Sequence, residues 1–292
     1  MPQRQRQFII KQLQEHTTLC NWSKFFSMWV WDRIGFCRLV AKMNVFETSI
    51  TQELICQFWE LAHNSKLPIE VYQSKDEKAN GSDLEIAIQT KQGYFLVPCQ
   101  AKIVNKNSRY AAFSHKVNNV YQLDILLSHG RKVRGLPLYL LYNFHDTAIH
   151  MENIETLHNL TIQELGCTVQ PATLLKKEYS KPLTGKLSIP NFYDLHRKLT
   201  IPFSRLICSI GTTRILEETQ TPISAISFYP AEELTNRNYW RDLAPPAAIG
   251  RISPVEEPGF IESPQATSTS FNPRFRILLS IERRVRGQLF SN

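Results

Sequence analysis

The stretch Gly81-Ser82-Asp83-Leu84-Glu85, followed further along the chain by Gln100-Ala101-Lys102, decides the predicted fold. Two β-like runs, Leu84–Thr90 and residues 94–103, are separated by Lys91-Gln92-Gly93. A glycine in so short a gap predicts a β-hairpin. A turn centred on Gln92-Gly93, or one residue earlier, sets Asp83 opposite Lys102 or Gln100 across the strand pair.

Side chains alternate along the two strands, which predicts one apolar and one polar face. The apolar face carries Leu84, Ile86, Ile88, Phe95, Val97, Cys99 and Ala101. The polar face carries Asp83, Glu85, Gln100 and Lys102. Four polar groups at one end of a hairpin indicate a functional site. The alternative is structural, because an Asp after Gly-Ser is often a turn residue and a Lys near a strand end is usually solvated. A three-residue loop without a bulge would break this alternation.

The polar face suits metal-assisted chemistry on phosphate esters. Carboxylate and amide oxygens are hard ligands of the kind that Mg²⁺ or Mn²⁺ prefers. Such an ion lowers the pKa of a bound water and stabilises charge that develops during phosphodiester hydrolysis. Lys102 beside it could orient the attacking water or stabilise the transition state.

These residues resemble the PD-(D/E)XK restriction-endonuclease-like superfamily. Asp83 matches the acidic residue of its second core strand, and Gln100-Ala101-Lys102 matches the tripeptide of its third strand in the Q-X-K variant. The resemblance implies a nuclease in which Glu47, Asp83 and Gln100 bind the metal and Lys102 positions water. Gln100 is neutral, so the site has one charge fewer than the commonest pattern, and Glu85 could supply the missing charge as a further metal ligand.

Residues 47–63 upstream predict a helix, because Ile50, Leu54, Phe58 and Leu61 recur at three- and four-residue steps. Glu47 lies in line with that stripe in the first turn, where an acid could reach the metal. A carboxylate there also favours the helix dipole or caps the helix. The superfamily commonly supplies a Glu from its first core helix, and Glu47 is the match.

Residues 114–128 downstream predict a second helix, with Ser114 as N-cap and Gln122 either facing the site or exposed. Residues 136–144 then predict a buried strand. The expected fold class is therefore α/β, with a restriction-endonuclease-like α-β-β-α-β core and a mixed central sheet flanked by helices. Residues 165–172 and 201–208 resemble later segments of a bacterial family of uncharacterised nuclease-like domains.

Composition divides the chain into five predicted parts. They are a basic, aromatic helical extension (1–44), the nuclease-like domain (45–215), C-terminal elements (216–242), a Pro/Ser-rich linker (243–273) and a basic amphipathic helix (274–292).

The net charge of +8 favours a polyanion partner. Lys106, Arg109 and Lys116, with Gln122, are the candidate nucleic-acid contacts, and a second basic cluster, Arg131, Lys132 and Arg134, is expected near the site. Aromatic residues of the first 40 could stack on bases, but burial against the domain is favoured.

The six cysteines are widely spaced and lack metal-ligand motifs, so reduced buried thiols are expected rather than zinc or disulfides. No run approaches the length of a membrane span. The chain is expected to be cytoplasmic, without membrane contact.

The leading hypothesis is a Mg²⁺- or Mn²⁺-dependent nuclease, with DNA favoured as substrate and endonuclease favoured over exonuclease. The resemblance suggests defence against foreign DNA or repair, with a homodimer or a partner protein supplying specificity. A second hypothesis is a catalytically inactive nuclease fold that binds DNA or assembles with a partner. A third is an unrelated α/β protein whose hairpin mimics the motif.

Overall fold

The structure is a computed structural model. It describes residues 18–64, 67–74, 84–146, 160–180, 188–198, 200–236, 238–243, 271 and 273–282. The helices are α1 (Leu19–Gly35), α2 (Glu47–Asn64), α3 (Gln122–Lys132), α4 (Ala172–Tyr179), α5 (Phe192–Lys198), α6 (Phe203–Cys208), α7 (Arg214–Glu218) and α8 (Ala231–Leu234), with a π-helix (Phe36–Val40) directly after α1. The strands are β1 (Ile69–Ser74), β2 (Leu84–Thr90), β3 (Gly93–Ile103), β4 (Lys116–Val117), β5 (Val120–Tyr121), β6 (Leu138–Tyr142), β7 (Cys167–Pro171), β8 (Ile201–Pro202), β9 (Trp240–Asp242) and β10 (Phe275–Leu279).

Eight of these strands form one mixed sheet in the order β8-β7-β6-β3-β2-β10-β1-β9. The β3–β6 and β10–β2 pairs are parallel, and the remaining pairs are antiparallel. Helix α3 connects β3 to β6, as parallel neighbours require a crossover. The expected α/β class, with a mixed central sheet flanked by helices, is confirmed.

The predicted hairpin is confirmed, with its turn at the earlier of the two positions. Thr90 pairs with Gly93 around Lys91-Gln92, and Leu84 pairs with Cys99 at the far end. Gly93 has a φ of 124°, a conformation that a side chain disfavours. The seven residues of the predicted apolar face all lie in the main core cluster.

Helices cover both faces of the sheet. Helix α2 lies on the apolar face, with Ile50, Leu54, Phe58 and Leu61 buried as their spacing predicted. Helix α1 joins the same core, because Trp22 packs on Phe58 at 4.5 Å between ring centroids. The aromatic residues of α1 therefore serve mainly as core. None of the helices in the described ranges is long and apolar enough to cross a membrane.

The helix predicted over residues 114–128 was wrong in its first half. Lys116–Val117 and Val120–Tyr121 form a two-stranded hairpin, and α3 begins only at Gln122 and continues to Lys132. Asn118 and Asn119 have φ values of 48° and 65°. Two adjacent Asn residues favour such a left-handed turn between strands, so Ser114 is not the N-cap.

The helix predicted over 274–292 was also wrong where the chain is described. Phe275–Leu279 is a strand inserted between β2 and β1 in the middle of the sheet. Ile277 and Leu279 face the main core, whereas Leu278 faces the opposite side. A strand buried on both faces lacks strict alternation, and its basic flanks suggested a helix instead. Most of the predicted linker, 244–270, lies outside the described residues.

The expectation of reduced thiols was wrong for two cysteines. Cys20 in α1 and Cys208 at the end of α6 form a disulfide with Cα atoms 4.9 Å apart. Cys37, Cys99 and Cys167 are buried free thiols, and Cys56 is free but exposed. The two partners are 188 residues apart in sequence, and only the packing of α1 on α6 brings them together.

Replacing Cys208 with Ser should lower the free energy of unfolding by roughly 2–4 kcal/mol, because the disulfide restricts the unfolded chain. Urea denaturation without reductant measures this effect. Cys56→Ser is the matched control and should leave the free energy of unfolding nearly unchanged. Alkylation of the unfolded, non-reduced chain at all six cysteines would contradict the disulfide.

Candidate active site

The candidate site lies where β3 and β6 end side by side. Gln100 is level with Tyr139 and Lys102 with Leu141 in this parallel pair, so Gln100 and Lys102 share the sheet face opposite the main core. Both side chains are buried. Sites of α/β proteins often open at the carboxyl ends of parallel strands.

Lys102 and Glu47 meet at this end of the sheet. Lys102 Nζ lies 3.6 Å from Glu47 Oε1, and the Lys102 side chain is only 4% exposed whereas that of Glu47 is 24% exposed. Lysine is almost never fully buried unless it is paired. An ammonium group has three donors, and within the described part of the chain Glu47 is the one acid at ion-pair distance. The solvated strand-end lysine considered from the sequence is therefore wrong.

Helix α2 holds Glu47 in place through contacts to β6. The Thr51 hydroxyl donates to the backbone carbonyl of Glu47 at 2.9 Å and shares a 3.0 Å hydrogen bond with the Tyr142 hydroxyl. Burial raises the pKa of Tyr142, so this hydroxyl stays neutral. The first turn of α2 is thereby fixed to the end of β6, beside Lys102.

One buried amide oxygen on β3 and one on α3 lack partners among the described residues. Oε1 of Gln100 and Oε1 of Gln122 are buried and accept no hydrogen bond from any described residue. Gln122 is the first residue of α3, which packs over β3. A buried acceptor without a donor is costly and uncommon. These two oxygens are acceptors that the described residues leave unused.

Asn143, which follows β6, has hydrogen-bond partners for both polar atoms of its side-chain amide. Its Oδ1 accepts a hydrogen bond from the Tyr110 hydroxyl at 2.6 Å, and its Nδ2 donates to the Leu165 carbonyl at 2.7 Å. Asn143 is fully buried, and its amide is satisfied on both sides. Its role is therefore structural.

The carboxylate of Glu85 is already paired within the fold. It is fully buried and accepts a hydrogen bond from Arg276 Nε at 2.8 Å, while His129 Nε2 lies 3.4 Å from its second oxygen. Burial would raise the pKa of Glu85, but the charges and hydrogen bonds of Arg276 and His129 outweigh it and lower that pKa. The carboxylate is thus neutralised within the fold, which argues against Glu85 as a metal ligand.

Sequence reasoning missed Arg276 because it assigned that segment to a helix. Arg276 is level with Glu85 in the β10–β2 pair. An alternative strand assignment for the run Phe275-Arg276-Ile277 would have placed a cation inside the sheet, where a nearby acid is a favourable partner.

Asp83 lies outside the described residues. In the described hairpin Leu84 is opposite Cys99, the register that follows from the turn at Lys91-Gln92. The expectation that Asp83 faces Gln100 or Lys102 remains a prediction.

The candidate nucleic-acid contacts lie on three different segments of the fold. Lys106 and Arg109 are exposed in the loop directly after β3. Lys116 is exposed on β4, with its Nζ 4.5 Å from the centre of the Tyr121 ring. Gln122 lies at the start of α3.

The second basic cluster was wrongly placed near the site. Arg131 and Lys132 lie at the opposite end of α3 from Gln122, and Arg134 follows them. The amide of Leu136 pairs with the carbonyl of Leu96, which is about 20 Å along β3 from Lys102 at ~3.3 Å per residue.

The described residues include some, but not all, of the donors that the predicted metal site requires. No group of three or more His, Cys, Asp or Glu side chains suited to a metal ion occurs among the described residues. The Glu47 carboxylate and the unpartnered Gln100 oxygen are hard donors, and Mg²⁺ commonly uses one or two carboxylates together with water and substrate oxygens. The donor types therefore fit, while Asp83 is needed to complete the predicted set.

Comparison with protein-family models identifies the family of the chain. The model of a family of unknown function, DUF6615, matches residues 19–278, and the chain belongs to this family. No curated protein and no solved structure matches the chain. The matched range begins at the first residue of α1 and ends within β10, so it includes both the N-terminal helix and the inserted strand.

Lys102→Met should change the free energy of unfolding by no more than about 1 kcal/mol, because methionine keeps the buried stem packed and the Glu47 side chain remains 24% exposed to water. Thermal and urea unfolding measure the change. Lys176→Met is the matched control, because Lys176 forms a surface pair with Asp124 and should have an effect within about 0.5 kcal/mol. Marked destabilisation by Lys102→Met would show that Lys102 serves the fold rather than a reaction.

Proposed function

We propose that the chain is a Mg²⁺- or Mn²⁺-dependent nuclease that hydrolyses phosphodiester bonds, with DNA as the favoured substrate and internal cleavage as the favoured mode. The observation that carries the proposal is the burial of Lys102 and Gln100 on one face of β3. Lys102 has a single acid partner among the described residues, and Gln100 has an unpartnered oxygen. Buried polar groups that the fold leaves incompletely satisfied are typical of functional sites.

The order of elements supports the same proposal. Helix α2 is followed by strand β1, the β2–β3 hairpin, the crossover helix α3 and the parallel strand β6. Apart from the additional strand β1, this is the α-β-β-α-β order that the resemblance implies. In this arrangement β10 lies beside β2, and β1 lies one strand further out.

Each residue has a distinct role in the proposed reaction. Glu47, Asp83 and Gln100 hold the metal, which when bound lowers the pKa of a water and offsets charge on the phosphate. Lys102 orients the attacking water and stabilises the negative charge that develops on the phosphate oxygens. Lys106 and Arg109, in the loop after β3, contact the flanking phosphates.

A second candidate function is a catalytically inactive module that binds DNA or assembles with a partner. Two observations favour it. First, Glu47 is already paired with Lys102 at 3.6 Å. Second, Arg276 neutralises Glu85, which leaves Glu47 as the one candidate acid at the site among the described residues.

Plasmid cleavage tests the two candidates. Supercoiled plasmid should be nicked and linearised with Mg²⁺ or Mn²⁺ and left intact with EDTA. Lys102→Met and Asp83→Asn should each reduce the rate by about 100-fold or more, because each removes a group that acts on the transition state. Cleavage rates are measured from the loss of supercoiled DNA on gels.

Lys176→Met is again the matched control and should cleave at the wild-type rate. Metal-dependent cleavage that survives Lys102→Met would contradict the assigned roles. Salt-sensitive DNA binding without any cleavage would support the inactive module.

A further inference from the structure

The segment between α1 and α2 exposes an unusual amount of apolar surface. Of the eleven large apolar side chains that are exposed in the described part of the chain, five lie within residues 36–46. These five, called the apolar platform, are Phe36, Leu39, Val40, Met43 and Phe46. Their exposed fractions range from 49% to 67%. A cluster of this kind on a protein surface marks an interaction site.

The apolar platform borders the candidate active site. Glu47, the acid beside Lys102, directly follows Phe46 in the chain. Arg38, within the same segment, donates hydrogen bonds to the backbone carbonyls of Val104 and Asn105, just beyond the end of β3. The segment is therefore attached to the same strand end that carries Lys102.

The segment also has a defined shape. Residues 36–40 form the π-helix, and the amide of Met43 returns to the carbonyl of Cys37 at 2.8 Å. π-helical turns occur frequently at functional sites. The exposed side chains are thus presented by a folded backbone.

Positive charge predominates around the apolar platform. Residues 33–46 contain Arg33, Arg38 and Lys42 and no acid. Asp32 and Glu47 border this range, and Asp146 interacts electrostatically with Arg38. Arg33 and Lys42 are exposed. Lys106 and Arg109 are exposed in the neighbouring loop, which Arg38 contacts through Asn105. The occupant should therefore combine negative charge with flat or apolar faces.

We propose that the apolar platform binds single-stranded nucleic acid, with unpaired bases on Phe36 and Phe46 and phosphates near the surrounding cations. Aromatic side chains beside a basic surface bind single strands in this way, independently of sequence. In a duplex the base faces are stacked on each other and cannot contact the rings. Delivery of the bound strand to Lys102 rests on the proposed nuclease function, whereas the binding itself does not.

Fluorescence anisotropy in EDTA tests the proposal without cleavage. The probes are labelled oligo-dT of about 20 nucleotides and a blunt duplex of the same length. The full-length double variant Phe36→Ala/Phe46→Ala should bind oligo-dT at least about tenfold more weakly and bind the duplex as the wild type does. Both rings are exposed, so thermal unfolding should be unchanged.

Tyr239→Ala is the matched control, because Tyr239 is an aromatic residue that is 69% exposed on the segment before β9. It should bind both probes as the wild type does. Equal binding of oligo-dT by the wild type and the double variant would overturn the proposal, as would failure of the wild type to bind oligo-dT. A dimer that becomes monomeric in the double variant, seen by light scattering without loss of oligo-dT binding, would instead assign the apolar platform to a second copy of the chain.

Discussion

Strand β3 pairs with β2 on one side and with β6 on the other, and the candidate site depends on the register of these two ladders. The antiparallel ladder sends six alternate side chains into the main core, and Ala101 follows in the parallel ladder. The parallel ladder brings Lys102 to the strand ends beside the first turn of α2. A shift of one residue in the register of β3 would exchange its two faces. The apolar residues would then lose the core, and Gln100 and Lys102 would point into it.

The buried polar side chains on the hairpin differ in how completely they are paired. Glu85 is held by Arg276 and His129, so the middle of the sheet contains a neutralised carboxylate. Lys102 has a long ion pair, and Gln100 has an unpartnered oxygen. A fold selected only for stability would satisfy or replace such groups. We infer that the first arrangement supports the inserted strand β10 and that the second is retained for a reaction.

Local patterns predicted the parts of the fold that depend on neighbouring residues. The spacing of Ile50, Leu54 and Phe58 predicted α2, and the hairpin followed from Gly93 and the alternating apolar residues. Parts that depend on distant residues could not be predicted in this way. The Cys20–Cys208 disulfide and the ion pair of Arg276 with Glu85 join segments that meet only after folding. At the site, the position of Glu47 in line with the helix stripe predicted its approach to β3, whereas no periodic signal marked the apolar platform.

Anomalous diffraction from crystals of the full chain soaked in Mn²⁺ tests the central claim most directly, because it locates the metal independently of any activity. We expect a Mn²⁺ peak in contact with the Glu47 carboxylate and the Gln100 amide oxygen, with Asp83 as a further ligand and Lys102 Nζ displaced from Glu47. A site without Mn²⁺, in which Lys102 remains paired with Glu47 and an ordered water alone satisfies Gln100, would contradict it.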